Sequence, residues 1–174
     1  LSLALRAIRD PYLPGRAIDL ETGLSTVADK DTDPPYHARL VWVPPKLRNQ
    51  IQHYDAHIEA VRQVLSSRRD HTAIPDGCFF LNESHNAVNQ TLPVTPKTLA
   101  KYCLKEYLPV PANAHRRFLR TELLERGMPV ESANALLGHW SLGEEPWAIL
   151  SSFDFTVYIQ HLEQFLVPLL DALH

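Results

Sequence analysis

The chain has little cysteine: Cys78 and Cys103 are the only two in 174 residues. A pair so far apart supplies no disulfide framework and no Cys-x-x-Cys arm for zinc, and it suits thiols kept reduced in a cytoplasm. No apolar run approaches the ~20 residues of a membrane-spanning helix, and the opening residues lack the basic stretch and apolar core of a secretory signal. The expectation is a cytoplasmic protein with no membrane partner. Nine histidines are present, yet they form no His-Glu-x-x-His and no compact Asp/His cluster, which disfavours a metal-dependent hydrolase. Internal repeats and low-complexity tracts are absent. A basic surplus is also missing, since the net charge is −3, whereas proteins that grip nucleic-acid phosphates usually carry excess Lys and Arg. Local balance differs from the total: His115 to Arg126 sets Arg116, Arg117, Arg120 and Arg126 against Glu122 and Glu125, so a basic helix face fits inside an acidic whole.

With 45% hydrophobic residues, the length suffices for one buried core, and residues 1–174 read as a single domain. Fourteen prolines punctuate it. Leu1 to Ile8 reads as the end of a helix, stopped by Asp10-Pro11. Leu24 to Ala28 and Ala38 to Val43 are β-rich runs around a polar, proline-containing loop, as in an antiparallel hairpin. Leu47, Ile51, Tyr54, Ile58, Val61 and Leu65 recur at steps of three and four, which predicts a long amphipathic helix and the main strut of the core. Cys78 to Leu81 suits a short strand within a surface loop. Helices are expected from Thr95 to about Tyr107, from Ala114 to Arg126 with Gly127 as its stop, and from Val130 to Leu137. The stripe Leu162, Phe165, Leu166, Leu169, Leu173 predicts a final amphipathic helix, kinked or broken at Pro168. The fold class is therefore mainly α with a small antiparallel β-sheet.

The chemistry-bearing residues lie in the last third, in Asn113-Ala-His-Arg116 through Gly127, Leu137-Gly138-His139 and the lone downstream Tyr158. A phenol is a weak nucleophile near neutral pH because its pKa is about 10, so cations around it must stabilise charge on an attacked phosphate. Arginine suits that task, since its planar fork holds two phosphate oxygens and keeps its charge. The stretch resembles the tyrosine recombinase (phage integrase) family, in which an Arg opens a helix, a Gly closes it, and a second helix ends in Leu-Gly-His ahead of the tyrosine.

That resemblance implies a recombinase-like catalytic domain and a set of roles. Arg116 matches the second family arginine and Arg6 the first. Lys30, in the hairpin turn, takes the place of the general-acid lysine, although its loop is Asp-Lys-Asp-Thr-Asp rather than Gly- and Lys-rich. His139 would donate to a phosphate oxygen and Tyr158 would be the nucleophile. Asn113 stands where the family has another histidine; its amide donates but carries no proton. A register moved by one residue would give the arginine role to Arg117, with His115 two residues before it as the substitute histidine. Gly143 to Trp147 looks like an insertion, read as a lid or a partner surface.

The implied activity is site-specific cutting and rejoining of double-stranded DNA through a 3′-phosphotyrosyl bond, with no metal and no cofactor. By family analogy four protomers self-associate on DNA, and an N-terminal core-binding domain found in relatives is expected to be missing from this stretch. Asn113, the acidic hairpin loop and the net charge suggest the alternative: a catalytically impaired relative that binds DNA or a partner.

Overall fold

A computed structural model describes residues 5, 18–19, 21–28, 38–67, 79–81, 91–95, 97–98, 113–141 and 143–173. Strands β1 (Leu24–Val27) and β2 (Arg39–Trp42) form the expected antiparallel hairpin, with Leu24 opposite Trp42 and Val27 opposite Arg39. Side chains alternate across a strand, so Arg39, Val41 and Val43 point the same way, and all three are buried. An arginine thus lies in phase with the apolar face of the sheet. The Lys30 turn lies outside the described residues, as do Arg6, Leu1 to Ala4, Cys78 and Cys103.

Helix α1 (Pro45–Ser66) begins with a proline in its first turn, where the missing N–H costs nothing. It is not the strut of the core. Only Ile51 and Leu65 of its stripe are buried, and Tyr54 stands exposed. One apolar residue per turn makes a narrow seam, which covers less area than the wider stripe of a core helix. Strand β3 (Phe79–Leu81) pairs antiparallel with β4 (Thr91–Pro93), so the described residues contain two separate two-stranded sheets rather than one. β4 is short and ends in proline, which hides it from a search for β-rich runs. At Thr95, the helix start expected there is visible as a reciprocal pair: Thr98 N–H donates to Thr95 Oγ1 at 3.2 Å and Thr95 N–H to Thr98 Oγ1 at 2.8 Å. Lys97 and Thr98 are helical, and the rest of that helix lies outside the described residues.

Helices α2 (Ala114–Glu125) and α3 (Val130–Leu137) have the expected limits, and both end in a left-handed glycine. After α2, Gly127 N–H donates to Leu124 O at 3.0 Å and Met128 N–H to Leu123 O at 2.9 Å, the paired bonds of a Schellman ending. Helix α4 (Phe155–His161) is capped by Asp154, whose Oδ1 accepts from the N–H groups of Thr156 and Val157. It continues through a π-helical turn (Leu162–Leu166) into α5 (Val167–Ala172). Pro168 therefore does not break the tail. Its ring and missing N–H oppose ordinary i→i−4 bonding, and the wider π turn just before it absorbs the conflict. No helix among the described residues is long and apolar enough to cross a membrane.

The core sits where α2, α3 and the tail meet the β1–β2 hairpin. Leu119, Leu123, Leu136, Leu137, Leu162 and Leu166 are fully covered there. Leu162, Leu166 and Leu169 of the tail stripe are thus buried on their own domain, Phe165 is half-buried and Leu173 half exposed. Truncating Leu166 to Ala removes a fully buried side chain and leaves a cavity, so it should cost about 3 kcal/mol of unfolding free energy. A denaturant titration that gives an unchanged midpoint would contradict this placement of the tail.

Candidate active site

The site is organised by the C-terminal end of α3, where four carbonyls have no partner inside the helix. Gly138, at φ 68°, turns the chain so that its own N–H donates to Ala135 O at 3.3 Å and His139 N–H to Asn134 O at 2.9 Å. These bonds satisfy two of the four. The other two carbonyls accept from arginines: Arg39 Nη1 donates to Leu136 O at 2.6 Å, and Arg116 Nη2 to Leu137 O. Two cations at a helix C-terminus also match its negative dipole end. The φ favours glycine, and a Cβ at position 138 would meet Arg39 Cδ at 3.1 Å, so that side chain would have to shift by a few tenths of an ångström.

Arg116 reaches this point because it lies on the inward face of α2 with Leu119 and Leu123, three and seven residues on. It is 6% exposed. Arg117 projects to solvent from the next position, and Arg126 reaches back to Glu122 at 3.7 Å. The basic face of α2 is therefore smaller than its sequence implies: Arg117 is exposed and Arg120 half-buried. Asn113 sits exposed at the N-cap with its side chain making no capping bond. His115, half-buried, bonds through Nε2 to Leu5 O at 2.8 Å, which ties α2 to the beginning of the chain.

His139 and Tyr158 line one cleft of about 510 Å³. His139 is exposed at its wall. Tyr158 is fully buried: its ring packs against Trp147, Phe153 and Phe155, with centroids 5.3, 5.5 and 6.2 Å away. Its hydroxyl donates to Leu40 O at 3.4 Å, a long contact that holds it weakly. Burial pushes the phenol well above its ordinary pKa, and the nearby Arg39 guanidinium offsets only part of that. The segment from Gly143 to Trp147, expected to be a lid or a partner surface, has a structural part instead, because its Trp147 forms one wall around Tyr158. Arg116 does not line the cleft; it stands behind it, on the Leu137 carbonyl.

Two features escaped sequence reasoning. Arg39 was hidden in a β-rich run, although its phase with Val41 and Val43 marks it as inward-facing. The second is the contact between Ser132 Oγ and His161 Nδ1, 2.8 Å apart on the same cleft wall; nothing in their spacing of 29 residues announces it. The described lining also carries Glu131, Glu144 and Asp154 but no Lys or Arg. Comparison with protein-family models, curated proteins and solved structures yields no match.

Two outcomes test this geometry. Gly138→Ala should lose about 2 kcal/mol of stability, from the left-handed φ and from displacement of Arg39. Tyr158 should make the fold alkali-sensitive. The unfolded chain ionises this phenol near pH 10 while the folded chain keeps it protonated, so its contribution is intact below about pH 10 and is lost as pH rises beyond it. Thermal midpoints should therefore fall more steeply above pH 10 for the wild type than for Tyr158→Phe; parallel profiles would show that the phenol is not buried in solution.

Proposed function

We propose that this chain is the catalytic domain of a tyrosine-type DNA recombinase whose nucleophile, Tyr158, is buried in an aromatic box. The observation that carries the reading is the meeting of Arg116 with the Leu137-Gly138-His139 turn, beside the cleft that His139 and Tyr158 share. In the reaction Tyr158 Oη bonds to a DNA phosphorus, the P–O5′ bond breaks, and the 5′-oxygen leaves with a proton from Lys30. Arg116, Arg6 and His139 bind the non-bridging oxygens as charge builds on them. Arg116 has to release part of its hold on the helix terminus for this. No metal or cofactor takes part in these steps. Double-stranded DNA is the partner, and exchange of strands between two sites requires self-association on it.

A second reading, a catalytically impaired domain that binds DNA or a partner, is favoured by the complete burial of Tyr158 and by the carboxylates of the cleft. Covalent trapping separates the two. A random-sequence pool of nicked duplexes with a 5′-bridging phosphorothiolate should accumulate a protein–DNA adduct with the wild type and none with Tyr158→Phe, while Arg116→Ala slows adduct formation at least 100-fold. Absence of a wild-type adduct, with binding to the same pool retained, would establish the second reading.

A further inference from the structure

We propose that His161, oriented by Ser132, is the general base that takes the proton of Tyr158 as the phenol attacks; this rests on the recombinase reading. A phenol that must attack near neutral pH needs a proton acceptor within hydrogen-bond reach. His161 follows Tyr158 by three residues on α4, so the two side chains occupy one face of the helix. Both line the same cleft. His161 is half-buried, packs its ring toward Phe165 at 6.3 Å, and is held through Nδ1 by a serine that is itself 3% exposed.

The 2.8 Å contact accommodates donation in either direction, and we take the tautomer in which the ring is the donor. With Nδ1–H donating to Ser132 Oγ, the neutral ring presents Nε2 as an unprotonated acceptor. When the ring turns into the cleft, Tyr158 Oη gives up the weak 3.4 Å contact with Leu40 O. As the Oη–P bond forms, the phenol proton passes to Nε2; as the P–O5′ bond breaks, the 5′-oxygen takes a separate proton. Asn113 cannot serve as the acceptor because an amide does not accept a proton at neutral pH. The groups that share the cleft with His161 are Glu131 and His139 of α3 and the turn after it, Glu144 and Asp154 of the following loop, and Tyr158 itself.

The 5′-bridging phosphorothiolate pool again serves as probe, because a thiolate leaves without an acid and the base alone is read. His161→Ala should slow adduct formation about 100-fold at neutral pH, should lose the wild type's rise in rate with pH, and should be accelerated by added imidazole. Ser132→Ala should slow it less and keep the pH-dependent rise. A merely structural role for His161 would leave the profile's shape unchanged and give no imidazole rescue. Wild-type rate and profile in His161→Ala overturn the proposal while the recombinase reading stands, whereas no adduct from the wild type overturns both.

Discussion

Four carbonyls at the end of one eight-residue helix govern the architecture around the cleft. Buried carbonyls without partners cost about 1–3 kcal/mol each, so the end of α3 can lie inside the protein only if each is met. The left-handed Gly138 returns two N–H groups to Asn134 and Ala135, and the guanidiniums of Arg39 and Arg116 reach the remaining two. One arginine comes from the hairpin and the other from α2, so a single helix terminus fixes the positions of three elements. His139 is delivered to the cleft by the same turn. Removing either arginine would do more than delete a charge; it would leave a buried carbonyl unsatisfied.

The second constraint is aromatic. Trp147, Phe153 and Phe155 surround Tyr158 at edge-to-face and tilted angles, and Trp147 meets Phe153 at 87°. Such pairs add about 0.5–1.5 kcal/mol each beyond the area they bury. The loop after His139 is therefore tied down at its Trp147 end, while Ile149 and Leu150, just beyond, stand almost wholly in solvent. Asp154 then caps α4 and restarts regular structure, which sets Tyr158 and His161 on one helical face.

Helix limits were legible where backbone chemistry is local. Pro129, Gly127 and Gly138 mark the ends of α2 and α3 because a missing N–H or a positive φ needs no tertiary information. The β1–β2 hairpin was legible from its β-branched runs for the same reason. Packing was less so. The stripe of α1 has the right period, yet period alone does not say how much of a stripe is covered. The buried state of Tyr158 depends on a loop folding back over it, and the Ser132–His161 contact on two helices meeting. Arg39 and Arg116 lie between these cases: each is a charge in phase with apolar neighbours, so the pattern shows that it turns inward without saying which carbonyl awaits it.

On the recombinase reading, Tyr158 would tie stability to activity in opposite senses. Burying its ring and making its aromatic contacts stabilise the fold by several kcal/mol, and a phenol that attacked phosphate would forgo much of that. The proposed attacking arrangement would then be a minor population, with activity lowered by its fraction until contacts with DNA favoured it. Those contacts must also overcome Glu131 and Glu144 at the cleft, which are exposed and screened by salt, and Asp154, whose carboxylate already serves the α4 cap. Few cations are placed to do so, since Arg116 is engaged at the helix terminus and Arg126 at Glu122. The two proposed functions thus divide on one energetic comparison: the cost of emptying the aromatic box around Tyr158 against the contacts that Arg116, Arg117 and Arg120 would make with phosphate.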